Sequence, residues 1–216
     1  MNKSILLTRP DHDTATNYLC VWSEYVLKEA FKKHITVYDL KGAKATKINF
    51  DSYLKAKEPG FLFLNGHGNA KTVTGFNNEP LLEPNSDKKL VKDTIIYARS
   101  CDAGQILGNK LVKEGVRVFI GYRRKFLCAY LPSKISKPLE DPLVKFFLLP
   151  SNLIPTTILK GHSAKIAHER SIIAMQKNFR KMISSVASPE ERFAAKWLYG
   201  NIKGQVLFGD KDASIY

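Results

Sequence analysis

Short apolar runs alternate with segments of helical periodicity along this sequence, and this alternation constrains the fold more than any other feature. Residues 61–64 (FLFL) are typical of a strand that is buried on both faces of a sheet. Further strands are predicted at residues 4–7, 35–38, 94–98 and 116–120, with helices at about 17–33, 50–56 and 105–113. Because consecutive strands are joined by helices, the sequence predicts an α/β fold, a three-layer α/β/α sandwich with a mainly parallel central sheet.

The second half of the sequence is richer in helical patterns. A small hairpin is expected at residues 72–82, followed after the fifth strand by a long irregular loop at residues 126–142. Apolar spacing predicts a short helix at 143–148 and a long one at about 163–185. A last helix starts after Ser188, and an edge strand is expected at residues 205–208.

Composition excludes disordered and disulfide-stapled classes of protein. The chain has 216 residues, of which 44% are hydrophobic and 25% charged, so it can form a large core and is expected to be a single domain over residues 1–216. Its three cysteines cannot all pair, which favours a reducing compartment. With neither a signal peptide nor a long apolar span recognised, a cytoplasmic location without membrane association is expected.

Positive charge is in excess, since 34 Lys and Arg residues against 20 Asp and Glu residues give a net charge of +14. Such a charge attracts anionic partners, including nucleic acid. The basic residues are scattered in short runs, however, and no nucleic-acid-binding module is recognisable. Nucleic acid is therefore an unlikely partner, although a basic nucleic-acid-binding protein stays open as an alternative.

Two candidate catalytic residues directly follow two of the buried strands. His67 comes just after the strand at 61–64, and Cys101 just after the strand at 94–98. The carboxyl ends of parallel strands form the functional edge of such sheets, so both side chains are expected at one edge. A thiol and an imidazole placed together are the groups that acyl transfer through a thioester requires.

The residues around this pair suit the same chemistry. The backbone amides of Gly68 and Cys101 can form an oxyanion hole, because glycine leaves its N–H unobstructed. A helix is expected directly after Cys101, and its dipole is expected to lower the thiol pKa, with Asp102 as the N-cap. Neither Cys20 nor Cys128 has a partner spaced as a metal ligand, so no metal and no cofactor is predicted.

Several stretches also carry a family resemblance: residues 61–68 (FLFLNGHG), 95–104 (IIYARSCDAG) and 118–122 (VFIGY), with 158–164 and 206–210 near the end. In these stretches the chain resembles the caspase-like cysteine peptidases of clan CD, including CHAT-type domains and relatives of clostripain and gingipain. The resemblance implies a caspase-like sandwich in which His67 is the general base and acid, Cys101 the nucleophile, and Gly68 part of the oxyanion hole.

The resemblance also suggests which residues bind substrate. Arg99 stands two positions before the nucleophile, where the family reads the residue that precedes the scissile bond. We expect the Arg99 guanidinium to pair there with an acidic side chain. Asp102 is the competing determinant, and Arg123 or Arg124 is expected to add a basic contact. The loop at residues 126–142 is expected to form one wall of the cleft.

The sequence thus predicts a cytoplasmic cysteine endopeptidase that acts on a protein or peptide substrate, with a preference for cleavage after acidic residues. Control by a regulatory partner protein is expected, because no regulatory domain is recognisable. A caspase-like interaction module without catalysis remains the main alternative.

Overall fold

The structure, a computed structural model, describes residues 3–216. Its central sheet has six strands, which are β1 (Ser4–Arg9), β2 (Thr36–Lys41), β3 (Phe61–Asn65), β6 (Ile95–Arg99), β7 (Val118–Tyr122) and β8 (Gln205–Gly209). Their order in the sheet is β2-β1-β3-β6-β7-β8. All neighbours are parallel except β8, which runs antiparallel to β7 at the edge. The predicted mainly parallel sheet is confirmed, and the expected edge strand is present.

Helices cover both faces of the sheet. They are α1 (Thr14–Trp22), α2 (Glu24–Lys32), α3 (Lys47–Lys57), α4 (Leu107–Lys113), α5 (Pro142–Leu159), α6 (Ala164–Met182) and α7 (Pro189–Gly204). One core contains side chains of α1, α2, α5 and α6, and the core on the opposite face contains those of α3 and α4. A third cluster joins α5, α6 and α7. This arrangement is the predicted three-layer α/β/α sandwich.

The strands alternate between these two cores because successive side chains point to opposite faces of a sheet. Phe61 and Phe63 lie in the core with α1 and α5, whereas Leu62 and Leu64 lie in the core with α3 and α4. All four side chains are fully buried. The apolar run that predicted a doubly covered strand therefore supplies both cores at once.

A small hairpin lies beside the carboxyl edge of the sheet. Its strands are β4 (Val73–Thr74) and β5 (Pro80–Leu82), which pair antiparallel. Asn77 and Asn78 between them both have positive φ, which asparagine tolerates better than most residues. The hairpin is shorter than predicted, but it lies where the sequence placed it.

Two helices differ from the prediction. The helix expected over residues 17–33 is broken at Ser23, whose hydroxyl donates to the Leu19 carbonyl oxygen at 2.7 Å. The short helix expected at 143–148 extends to Leu159 through two internal prolines. Pro150 cannot donate to the Phe146 carbonyl oxygen, and the Asn178 side-chain amide donates to it instead at 2.9 Å. Such distant compensation is invisible to local periodicity.

Among the described residues, α5 is the one helix long and apolar enough to cross a membrane by length and composition. In the fold, 67% of that span is buried. Burial of this kind is typical of the core helix of an α/β protein, and α5 indeed contributes to two of the three apolar clusters.

Candidate active site

His67 and Cys101 lie at the same edge of the sheet. Their strands, β3 and β6, are neighbours, and Asn65 is the register partner of Arg99. His67 lies two residues after Asn65, and Cys101 lies two residues after Arg99, so both emerge where the parallel strands end. Both line a cavity of about 220 Å³ that is mostly apolar. The structure thus brings together the two residues that the sequence paired.

The backbone of His67 is held by a cluster of hydrogen bonds. Its carbonyl oxygen accepts from the Ser100 hydroxyl at 2.8 Å, the Thr74 amide at 3.0 Å and the Thr74 hydroxyl at 3.1 Å. Ser100 precedes Cys101, and Thr74 belongs to the hairpin. These contacts fix the His67 backbone relative to the turn that carries the thiol, and neither Ser100 nor Thr74 is predicted from the sequence to have this role.

Asp13 is the main functional candidate that sequence reasoning missed. Its Oδ2 lies 2.6 Å from the His67 Nε2. Asp13 is also the N-cap of α1, where it forms a reciprocal capping box with Thr16. It follows β1, the neighbour of β3 on the other side from β6, so three adjacent strands supply three polar groups to one edge. That adjacency is the signal that could have revealed Asp13.

The contact with Asp13 determines which nitrogen of His67 is available. Burial raises the pKa of Asp13, but hydrogen bonds from the Thr16 amide, His67 and the Thr16 hydroxyl outweigh it and lower the pKa to about 2. The carboxylate is therefore ionised at neutral pH and accepts a hydrogen bond from Nε2–H. Neutral imidazole then keeps its lone pair on Nδ1, which is the nitrogen free to accept a proton.

Cys101 is half-buried, and its Sγ lies 3.7 Å from the Phe126 carbonyl oxygen. Burial raises the pKa of the thiol above its usual value, and the positive charge of Lys125 opposes this effect. The expected lowering by a following helix is wrong. A turn separates Cys101 from α4, which begins only at Leu107, so its dipole does not act on the sulfur.

Gly68, expected to contribute to an oxyanion hole, does not line the cavity. Gly68 forms an antiparallel bridge with Val73, and hydrogen bonds from the Asn69 and Thr74 amides lie on either side of it. Gly68 is therefore at a non-hydrogen-bonded position of the bridge, and its own N–H points away from Val73. A Cβ atom at Gly68 would collide with the Ser100 hydroxyl and the Thr72 carbonyl oxygen. Within residues 3–216 neither the Gly68 amide nor the Cys101 amide donates to a protein acceptor.

Arg99 does not have the geometry expected of a residue that pairs with a substrate carboxylate. Its side chain is fully buried although it borders the cavity. A guanidinium has five N–H donors, and the structure gives each a protein acceptor. These acceptors are Asn65 Oδ1 (2.8 Å), Ser151 Oγ (2.9 Å), Asn152 Oδ1 (2.8 Å), Leu19 O (3.2 Å) and Ser23 Oγ (2.9 Å). No donor is left for a bidentate contact with substrate.

The other expected substrate contacts, unlike Arg99, lie outside the cavity. Asp102 is not the N-cap of α4, since Ile106 holds that position, and its carboxylate accepts from the Gln105 side chain at 2.8 Å. Arg123 and Arg124 are exposed beyond β7. Neither Asp102 nor these arginines line the cavity. The sequence pattern located the right edge of the sheet but not the direction of each side chain.

The loop expected to wall the cleft does line the cavity, through Phe126, Leu127, Cys128 and Tyr130. It is anchored at several points. The Tyr130 ring stacks on Tyr18 with centroids 5.0 Å apart, and the Leu127 amide and carbonyl both bond to the Asn201 side chain at 3.0 and 2.7 Å. A wall fixed in this way keeps its shape without a bound substrate.

A comparison with solved structures supports the fold independently. The structure of Porphyromonas gingivalis RgpB, a complex of its pro- and mature domains, matches 98% of this chain with a TM-score of 0.56 and 8% sequence identity. This chain covers 48% of that chain, so it spans about half its length. The sequence itself matches no protein-family model and no curated protein. The shared architecture shows that this chain has a caspase-like fold.

Proposed function

We propose that this protein is a cysteine peptidase of the caspase-like clan, with Cys101 as nucleophile, His67 as general base and acid, and Asp13 as the residue that orients His67. One observation carries the proposal: His67 and Cys101 line one cavity, while Asp13 occupies Nε2 of the imidazole and leaves Nδ1 available. The fold shared with RgpB, a gingipain, supports the same activity.

The proposed reaction starts from the neutral thiol and the neutral imidazole. Nδ1 of His67 accepts the thiol proton as the sulfur attacks the peptide carbonyl, and the developing oxyanion accepts hydrogen bonds from the Gly68 and Cys101 amides. The imidazolium then protonates the leaving amine, which leaves a thioester. His67 next takes a proton from water as the hydroxide attacks the thioester; the carbon–sulfur bond breaks, the carboxylic acid product leaves, and the imidazolium returns its proton to the sulfur.

Asp13 supports both proton transfers. Its carboxylate accepts the Nε2–H hydrogen bond throughout and stabilises the positive charge that appears on the imidazole after each transfer. Ser100 and Thr74 add a fixed backbone position, because they hold the His67 carbonyl. Both are positioning residues, since neither side chain touches the reacting atoms.

The cavity defines the proposed specificity. The side chain before the scissile bond would contact Ala15, Leu19, Leu127 and Tyr130, which form largely apolar walls. The buried charge of Arg99 behind these walls disfavours a lysine or arginine side chain, while its saturated donors give an acidic side chain no hydrogen bond. We therefore propose cleavage after uncharged, apolar residues.

A positional library of fluorogenic peptides tests the activity and the specificity together. We expect Cys101→Ala and His67→Ala each to lower kcat/KM by at least about a thousandfold, because each removes a group that the chemistry requires. Cys20→Ala is the matched control, since Cys20 is buried in α1 away from the cavity.

A peptidyl acyloxymethyl ketone gives a second readout that does not depend on turnover. Mass spectrometry of the treated protein should find the adduct on Cys101 and on neither Cys20 nor Cys128, and His67→Ala should slow its formation. Full peptidase activity in Cys101→Ala, or equal labelling of all three thiols, contradicts the proposal.

A further inference from the structure

Three potential metal ligands meet beside the proposed catalytic pair. The Asp13 Oδ2 lies between two imidazoles, 2.6 Å from the His67 Nε2 and 3.6 Å from the His12 Nε2. One ligand atom from each of His12, Asp13 and His67 can be chosen so that all three lie within 4.8 Å of one another. His12 and Asp13 follow β1, and His67 follows β3, so two adjacent strands bring the cluster together.

His12 has no role in the proposed peptidase, and its environment is unusual. The side chain is only 10% exposed, yet within residues 3–216 neither ring nitrogen has a hydrogen-bond partner. Its ring meets Phe76 and His67 edge-on, with centroids 5.5 and 6.0 Å apart. A buried polar group without a protein partner is costly, so two such nitrogens beside a carboxylate favour the binding of a ligand at this place.

We propose that His12, Asp13 and His67 form a binding site for a divalent transition-metal ion, with Zn²⁺ the ion best suited to it, and that the bound ion switches the peptidase off. Two imidazoles and one carboxylate favour Zn²⁺ over Mg²⁺ or Ca²⁺, which prefer oxygen ligands. The metal site does not depend on the peptidase, whereas the inhibitory effect rests on the proposed function.

The two separations that involve Asp13 agree with such a site after a small local movement. Neighbouring ligand atoms around tetrahedral zinc lie about 3.4 Å apart, given Zn–N bonds of about 2.1 Å. The separation of 3.6 Å between Asp13 and His12 fits this value. The separation of 2.6 Å between Asp13 and His67 is that of a hydrogen bond, and it must lengthen when the ion replaces the shared proton. Three protein ligands leave a fourth position for water.

Inhibition follows from the tautomer that a bound ion imposes on His67. Without metal, Nε2 donates its proton to Asp13 and Nδ1 carries the lone pair that accepts the thiol proton. A metal ion takes the Nε2 lone pair, so the proton of the neutral ring moves to Nδ1. Nδ1–H cannot accept a proton from Cys101, and the base is lost although no residue has left the site.

Zinc affinity of the metal-free Cys101→Ala protein tests the site without reference to activity and excludes the thiol as a ligand. Competition with a chromophoric zinc chelator should show that His12→Phe weakens binding by at least about 100-fold, because one of three protein ligands is removed. His12→Phe keeps the ring packing on Phe76. His162→Phe, which alters a histidine outside the cluster, is the matched control and should bind zinc as the parent protein does.

Activity assays then test the inhibitory effect. Zinc should inhibit the wild-type peptidase, and a chelator should restore its rate. In His12→Phe the inhibitory concentration of zinc should rise by the same factor as the dissociation constant for zinc. Each variant is compared with its own zinc-free rate. Equal zinc affinity in the parent, His12→Phe and His162→Phe proteins overturns the site. Stimulation by zinc overturns the inhibitory effect. A protein that binds zinc through His12 but cleaves no peptide supports the site and contradicts only the proposed peptidase.

Discussion

Replacement of Arg99 by methionine separates a structural role from a substrate-binding role. Arg99 lies on β6 and donates hydrogen bonds to α1, to the junction of α1 and α2, and to α5. It therefore joins these helices to the sheet. None of the ion pairs among residues 3–216 includes it, and burial, the largest effect, lowers its pKa. Its stabilising contribution must therefore come from hydrogen bonds to neutral acceptors and from the Phe63 ring, whose centroid lies 5.0 Å from the guanidinium carbon.

The expected loss of stability follows from the acceptors that methionine leaves unpaired. The Leu19 carbonyl oxygen keeps the bond from the Ser23 hydroxyl, but the Asn65 and Asn152 side-chain oxygens lose their donor. Each buried, unsatisfied acceptor costs about 1–3 kcal/mol. Removal of a buried charge offsets part of this cost, so we expect Arg99→Met to lower the free energy of unfolding by about 2–4 kcal/mol.

Urea denaturation in a Cys101→Ala background measures this change without self-cleavage. Arg99→Lys is the informative companion, since an ammonium keeps the buried charge but offers only three donors, and we expect it to be less stable than Arg99→Met. Wild-type stability in Arg99→Met would refute the argument. An Arg99→Lys protein more stable than Arg99→Met would show that three donors on a buried charge stabilise the site more than removal of both does.

Three further predictions concern the catalytic edge. Asp13→Asn should lower kcat/KM by about 10–100-fold with little change in KM, because an amide does not hold the Nε2–H tautomer, and steady-state kinetics with the best library peptide measures this. The rate of Cys101 alkylation by iodoacetamide in the free protein, followed by mass spectrometry, should keep rising as the pH increases beyond 9. The reason is that the raised pKa of the thiol favours its neutral form below pH 9. A rate that reaches a plateau below neutral pH argues against this prediction. Gly68→Ala should lower both activity and stability, since its Cβ collides with the Thr72 backbone carbonyl and displaces Ser100, which holds the His67 backbone, and wild-type activity and stability, measured by kinetics and urea denaturation, would contradict this.

Local patterns in the sequence predicted the architecture because buried parallel strands produce continuous apolar runs. The same runs located His67 and Cys101. His67 follows β3 and Cys101 follows β6, and these two strands are neighbours in the sheet. The glycine that follows His67 also suits its position, since a Cβ atom at Gly68 would collide with Ser100 and Thr72. What periodicity captures is therefore which edge of the sheet holds the candidate active site.

The directions of individual polar side chains could not be predicted in the same way. Arg99 looks like a ligand in sequence, but its register on β6 points it into the core with Tyr97, where distant helices supply its acceptors. Asp13 looks like an ordinary helix cap, and its second contact with His67 depends on strand order. Both outcomes depend on contacts between residues far apart in the chain.

The placement of Asp13, His67 and Cys101 has a consequence for how the chain can be rebuilt. All three follow the carboxyl ends of adjacent strands, whereas the connections that enter β3 and β6 lie at the opposite rim, near Pro59 and Asp93. New termini or an inserted module at that far rim would leave the reacting groups where they are. A one-residue shift of any of the three strands, in contrast, would turn that strand's own side chains to the opposite face and displace the group that follows it.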